Sequence, residues 1–533
     1  MNDGEKEIVE EQKVSKVYQD KNNQFHEVVS TLSEVGGQGI IYRTKNPEIV
    51  IKIEKPKNNI INDNSNLQAN IISSSIIEFD DKVNRKFTKL RLLPISENIN
   101  ITLPLVVLKN QAGYIMRLLN DMVSFQKAFN LEDDSIKYTN DYIQSYILQG
   151  VSSDDNENNN PEAKLRKYIA RYFGNYIGTG GAIRRLTAYL QVSCYLARLH
   201  ASSLVYCDIS DNNLFISSNP KVEDTNVWLI DADNLNFQNK TKKQRTYYTK
   251  AYSAPEIHKG KGATFYSDSY SFMISFFWQL SGTHPFKGKL LDDANIESDK
   301  SDDFDDFDDD KEMNAYIGNY PWVFDKDDTS NSLTKKIIDV SYIFSKSMFV
   351  LLERMFSTKG KNSIYSRPSM FEIAHQIASD LNEVVKCQNC EMDYNYYKFD
   401  KCPYCDEVQN NLIVVETYYL DIDNNIIQSI QRLVKHIGDI NYIPARLLTE
   451  DVVIDMDTPA FSVVINQEEK SKFIITKMPS LIKSFNFDSI KILESQKDIY
   501  YSHETDNGEL SLIVTTNNIK KLLKIKVNNL NLL

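Results

Sequence analysis

The segment Tyr206-Cys207-Asp208-Ile209-Ser210-Asp211-Asn212-Asn213-Leu214-Phe215 constrains this chain more than any other. It sets an aspartate and an asparagine five residues apart, after a stretch of helical periodicity and before an apolar run. Leu186, Leu190, Cys194 and Ala197 recur at helical spacing, which predicts an amphipathic helix over 186–204. Leu214-Phe215-Ile216 predicts a strand, and 227–230 a second. Such an order calls for a fold with both helix and sheet, and a polar loop at their junction. An aspartate held there can accept a proton from a hydroxyl, and the asparagine carbonyl can ligate a metal ion. Turn-forming Asp and Asn residues are the plainer reading of the same letters.

Other parts of a phosphoryl-transfer site occur in a workable order. Such a site needs a phosphate cradle, a lysine on the phosphates, metal-holding groups and an acceptor for the hydroxyl proton. Gly36-Gly37-Gln38-Gly39 lies between strand-like runs, and glycine lets backbone N–H groups approach phosphate. A hairpin turn explains it equally well. Lys52 follows inside the apolar run 49–53; alone it reads as an edge residue, after a glycine loop as a phosphate contact. Asp231, in Trp228-Leu229-Ile230-Asp231-Ala232-Asp233, ends a strand where a carboxylate is placed for magnesium.

Together these residues resemble the Hanks-type (eukaryotic-like) serine/threonine protein kinases, with their Gly-rich loop, V-A-I-K lysine, H-R-D-x-x-x-x-N, D-F-G and A-P-E. Ala254-Pro255-Glu256 is A-P-E itself, and Asp268, His284-Pro285-Phe286 and Ser366-Arg367-Pro368 resemble later landmarks. The resemblance covers roughly 26–385. It implies that Lys52 holds the α- and β-phosphates, Asp208 is the catalytic base, and Asn213 and Asp231 bind magnesium. Gly36, Gly37, Gln38, Gly39, Ile41, Met116 and Leu118 would belong to the ATP site between two lobes, Met116 standing just before the hinge. Thr249, seven before Glu256, is where such kinases place the threonine that contacts the catalytic aspartate, which favours Ser/Thr acceptors. Glu78 is the expected partner of Lys52, and Glu256 and Arg367 the expected structural ion pair.

The departures are specific. Glu34 occupies the first glycine position, Tyr206-Cys207 replaces His-Arg, Ser210 stands where a lysine meets the γ-phosphate, and Ala232-Asp233 replaces Phe-Gly. A pseudokinase scaffold and a small-molecule kinase of the same fold are the alternatives. A nucleic-acid-binding ribbon protein is a third, disfavoured by a net charge of −12. Kinases with such motif changes and appended ribbons look like accessory bacterial kinases acting in signalling, stress response or phage defence.

The expected fold class is α+β: a two-lobed kinase fold with a β-rich N-lobe and a helical C-lobe, then a zinc ribbon and an α/β accessory domain. With 533 residues there is room for several cores. Residues 1–25 read as a flexible N-terminus, 26–119 as an N-lobe of five mostly antiparallel strands and one helix, and 120–385 as the C-lobe. An acidic run at 298–311 reads as a solvated insert. Helices are expected near 266–280, 332–357 and 369–385. No apolar run reaches the ~20 residues that span a bilayer, and the polar N-terminus lacks a secretory layout, so the expected location is cytoplasmic. Protein substrates with Ser/Thr acceptors are the expected partners.

Four of the six cysteines form two CxxC pairs, Cys387/Cys390 and Cys402/Cys405. In a reducing compartment such knuckles read as tetrahedral ligands of a structural Zn²⁺ at 386–408. A redox pair or free thiols are the other readings. Residues 411–533 alternate strand-like runs with expected short helices and carry no catalytic motif.

Overall fold

The computed structural model describes residues 16–33, 39–54, 69–131, 135–139, 161–220, 225–238, 248–292, 307–333, 338–449, 452–455, 459–465, 472–477, 491–494, 499–504, 509–516 and 519–528. The chain divides into two units, Met1–Met122 with Leu229–Leu235, and Val123–Trp228 with Asn236–Leu533.

The first unit is built on an antiparallel sheet. Its strands are β1 (Val17–Gln19), β2 (Phe25–Ser33), β3 (Gly39–Thr44), β4 (Ile49–Glu54), β5 (Val106–Val107) and β6 (Gly113–Arg117), in the order β1-β2-β3-β4-β6-β5. One helix, α1 (Ala69–Leu90), completes it. Six strands stand where five were expected, because β1 begins inside the stretch read as flexible. Buried Asp20 accounts for the extra strand. Its carboxylate accepts hydrogen bonds from the backbone N–H groups of Asn22 and Gln24 and pairs with His26 at 3.0 Å, which closes the β1–β2 turn. The apolar run 101–108 yields only the two-residue β5, with Ile101 bridging to Leu229.

Alternation sorts β4 into two faces. Ile51 and Ile53 join Tyr42, Leu108 and Ile115 in one apolar cluster. Lys52 points the other way and pairs in register with Tyr114 of β6. Helix α1 meets β6 through Phe87, whose ring lies 4.4 Å from that of Tyr114. Asn84 of α1 ties down the β5–β6 turn, donating to Leu108 O and Gln111 O.

The second unit is mainly helical as far as residue 383. Its main helices are α2 (Pro161–Gly178), α3 (Gly181–Ala201), α4 (Phe265–Ser281), α5 (Lys346–Phe356) and α6 (Met370–Glu383). Short strands β7 (Leu204–Val205), β8 (Leu214–Ser217) and β9 (Asn236–Phe237) frame the 206–213 loop. Helix α5 starts later than the expected 332, because Ser345 caps it by accepting from Met348 N. Capping boxes open α4 at Thr264 and α6 at Ser369. Most of the acidic run lies outside the described residues.

After α6 come a hairpin of β10 (Val384–Lys386) and β11 (Asp393–Asn395), then two antiparallel sheets. One has the order β13-β12-β20-β19, from β12 (Leu412–Leu420), β13 (Ile426–His436), β19 (Glu509–Thr516) and β20 (Ile519–Asn528). The other contains β14 (Asn441–Pro444), β15 (Pro459–Ile465), β16 (Lys472–Lys477), β17 (Lys491–Glu494) and β18 (Ile499–Glu504). The expected α/β domain is therefore corrected to a nearly all-β one. Among the described residues its only α-helix is the single turn Val452–Asp455. Ile413, Val415, Ile443, Phe461, Val463, Leu523 and Ile525 form its core. It is joined to the helices of the second unit by hydrogen bonds from Arg446 to Asn382 of α6 and from Arg198 of α3 to Val453 O. Among the described residues, no helix is long and apolar enough to cross a membrane.

Candidate functional site

Two constellations emerge, one in each unit. In the first unit Lys52 is 5% exposed, and its ammonium donates to Asp231 Oδ1 at 2.5 Å and to Asp233 Oδ2 at 2.6 Å. Asp231 follows the strand Val227–Leu229 and has a left-handed backbone (φ 57°), a strained conformation for a non-glycine residue. Tyr114 donates its hydroxyl to Asp233 Oδ1 at 2.7 Å. Burial pulls the Lys52 ammonium down, but Tyr114, Asp233 and Asp231 outweigh it and hold it well above the usual lysine range. Burial also pushes Glu54 up to about 7, with the charge of Asp233 adding to the effect.

Glu54, Asp231 and Asp233 thus surround Lys52, and the Lys86 ammonium also acts on Glu54 and Asp233. The Asp231 side chain keeps 26% of its surface exposed, against 3% for Asp233, so it is the carboxylate of this group open to a divalent cation.

The residues expected around a nucleotide are only partly described. Gly36, Gly37 and Gln38 lie outside the described residues, as does the side chain of Glu78, which falls on α1. Gly39 opens β3, where a Cβ would come within 2.4 Å of Ile53 O, so close strand approach alone requires glycine there. Ile41 pairs with Lys52 across β3–β4. Met116 pairs with Val50, and Leu118 N donates to Glu48 O.

In the second unit Asp208 is buried, and its Oδ1 accepts from both Thr249 N (3.2 Å) and Thr249 Oγ1 (3.1 Å). Asn213 donates its amide to Asp208 O at 2.9 Å, which orients its carbonyl oxygen as the remaining acceptor. A pocket opens here, lined among others by Cys207, Asp208, Thr249, Tyr248 and Asp268. The 206–213 loop is held from beneath by Asp268 at the start of α4. Its oxygens accept from Tyr206 N (2.7 Å) and Cys207 N (2.9 Å), and His200 approaches at 3.1 Å. This clamp holds Cys207 at φ 78°. Ser210 is buried, and its carbonyl accepts from Asn213 N, so it serves the turn. Asp211 is locked by Ser275 and Gln279 of α4. Burial pushes its carboxyl up, against those hydrogen bonds.

Glu256 and Arg367 form a bidentate pair at 2.7 and 2.8 Å, both buried. The sequence reading named this pair, Asp208 with Thr249, and Lys52 with Asp231, and the structure brings each together. It missed Asp233 and Tyr114 as companions of Lys52. The signal available was the carboxylate at 233 where the resemblance calls for glycine.

The four cysteines of the ribbon converge, with Cys387 Sγ 3.5 Å from Cys405 Sγ and Cys390 Sγ 3.6 Å from Cys402 Sγ. Four sulfurs about 2.3 Å from a tetrahedral zinc stand roughly 3.8 Å apart, so the set fits that ion. The two knuckles repeat one backbone plan. Glu391 N donates to Cys387 O and Asp406 N to Cys402 O, and Glu391 and Asp406 both have left-handed backbones. Gln409 donates to Cys387 Sγ, as an outer partner of a thiolate would.

No curated protein is significantly similar to the chain. The protein kinase domain family model matches residues 180–376. The matched stretch holds Asp208, Asn213, Asp231, Thr249, Glu256 and Arg367, and leaves out Lys52. This match supports phosphotransfer from ATP with magnesium.

Proposed function

We propose that the protein is a serine/threonine protein kinase, in keeping with the accessory bacterial kinases it resembles in signalling, stress response or phage defence. The observation that supports this most is the pair of hydrogen bonds from Thr249 to Asp208 Oδ1. They hold the carboxylate in a fixed orientation, as a group that takes the proton of an acceptor hydroxyl must be held. A threonine in that place is the mark of Ser/Thr specificity in the family resembled. Lys52 supplies a buried positive charge for nucleotide phosphates, and Asp231 and Asn213 supply oxygen ligands. Magnesium, when bound, neutralises charge on the phosphates. The Cys₄ ribbon holds a structural zinc, since all four tetrahedral positions are taken by protein.

Radiolabelled ATP with the full-length protein and a mixed protein substrate tests the reading. Label is expected on serine and threonine with the wild type and to fall at least about a thousand-fold with Asp208→Asn. Equal labelling by the variant, or phosphate on tyrosine or a small molecule instead, would reject it.

A further inference from the structure

We propose that Asp233, with Tyr114, is the positioning residue that holds Lys52 for the nucleotide phosphates, a part that the resemblance assigns to a helix glutamate. The proposal rests on the kinase reading above and adds to it the residue that anchors the lysine.

A buried ammonium needs a fixed counter-charge, because an unpaired one is costly to desolvate. Two carboxylates reach Lys52, and their surroundings differ. The Asp233 side chain is 3% exposed, and both its oxygens are engaged, Oδ2 by Lys52 and Oδ1 by the Tyr114 hydroxyl. The Asp231 side chain is 26% exposed and meets Lys52 through Oδ1. A carboxylate committed to two buried donors is an anchor, and the more open one suits a metal ion.

The anchor is built by strand register. Tyr114 stands opposite Lys52 across β4–β6, so both side chains fall on the same face. The Tyr114 ring is wedged against Phe87 of α1, and the Lys52 ammonium lies 5.9 Å from that ring's centre. The hydroxyl is thereby aimed at Asp233, and Asp233 at the lysine. An ammonium has three donors. Two go to Asp233 and Asp231, which leaves one for a phosphate oxygen. When Asp231 turns to a metal ion, Asp233 still holds the lysine. The glycine of the family motif could not do this, so the departure at 233 gains a function.

The same contacts could instead sequester Lys52 from nucleotide, and the two roles predict opposite results. Full-length wild type, Asp233→Asn, Asp233→Glu and Tyr114→Phe are compared for KM and kcat with Mg·ATP and, without turnover, for ADP affinity by calorimetry. Asp233→Asn is expected to raise KM for ATP and Kd for ADP by about ten-fold or more, with a smaller fall in kcat. Asp233→Glu should recover part of the loss. Tyr114→Phe should weaken ADP by roughly three-fold, and it carries the test if the Asn variant does not fold. An unchanged KM and Kd in a folded variant overturns the proposal, and so does a rise in activity, which marks sequestration. A wild type that binds no nucleotide overturns the kinase reading as well, whereas tight wild-type binding with indifferent variants overturns the Asp233 role alone.

Discussion

The Asp393 carboxylate, on a strand of the cysteine ribbon, accepts a hydrogen bond at 3.0 Å from Ile183 N in the first turn of α3. Helix α3 runs on to the 206–213 loop, so the ribbon caps the helix that leads to Asp208. Gly181 makes room for it: the backbone is left-handed there (φ 66°), and a Cβ would fall 2.2 Å from Asp393 Oδ2. Lys398 adds a hydrogen bond to Phe344 O, and Tyr404 packs edge-on against Phe173 of α2. The ribbon is thus built into the second unit.

This integration predicts that metal loss damages the helices that lead to Asp208. Purified protein should carry one zinc per chain by elemental analysis. Cys387→Ser, or a strong chelator, should cost a few kcal/mol and lower Tm by about 5–10 °C. Gly181→Ala should lower Tm with the metal retained. A chelated protein with unchanged Tm and activity would show that the ribbon is an independent appendage.

The Glu256–Arg367 pair makes a second prediction. Arg367 also donates to Gly360 O and stacks on Tyr270, so its removal strips several partners at once and leaves Glu256 buried without its cation. Arg367→Met should cost about 3–5 kcal/mol. Glu256→Gln combined with Arg367→Met should recover part of that, because no naked charge remains. Denaturant unfolding of the two singles and the double measures the coupling, and simple additivity would refute it.

Much of the site was legible because its residues lie in short local patterns. Asp208 to Asn213 spans one loop, Thr249 to Glu256 one segment, and Lys52 an apolar strand. What spacing could not show depends on pairing between distant strands. The Tyr114–Asp233–Lys52 arrangement exists only because β4 and β6 align at that register. The tail was misread as α/β for a related reason. Strands such as β14, Asn-Tyr-Ile-Pro, and the lysine-rich β20 have polar letters that fit loops or helices when taken alone. Their strand character comes from partners across the sheet. The early strand β1 was hidden because a turn built by buried Asp20 looks, in letters, like a charged terminus.

Asp268 and Cys207 yield a third prediction. Asp268 offers an oxygen to each of two backbone N–H groups, so an amide there would turn a donor toward a donor. Asp268→Asn should cost about 1–3 kcal/mol and reduce kcat more than ten-fold by loosening the loop under Asp208. Cys207 offers a companion measurement at φ 78°. Cys207→Gly should be more stable than Cys207→Ala by roughly 1 kcal/mol, since only glycine adopts that backbone without penalty. Equal stability of the two variants would contradict the strain.

The last prediction concerns pH, where two buried groups oppose each other. His284 donates Nε2–H to Ala251 O and accepts from Phe286 N at Nδ1, which fixes the neutral ring, and burial holds it down to about 3. Its folded value lies below its unfolded one, so its contribution is complete above about pH 6.5 and is lost as pH falls toward 3. Asp380 is the reverse. Burial pushes it up to about 7, against hydrogen bonds from Ser345 and Gln376. A carboxyl bound more tightly to its proton when folded stabilises fully below about pH 4, and that stability is lost as pH rises toward 7. Each group contributes a slope of up to roughly 1.4 kcal/mol per pH unit, of opposite sign, between about pH 4 and 6.5. Wild-type unfolding free energy should therefore show little dependence on these two groups across that window. His284→Gln should unmask stability that falls with rising pH, and Asp380→Asn stability that rises with it. Parallel pH profiles for wild type and both variants, by urea unfolding at intervals between pH 4 and 7, would refute the opposition.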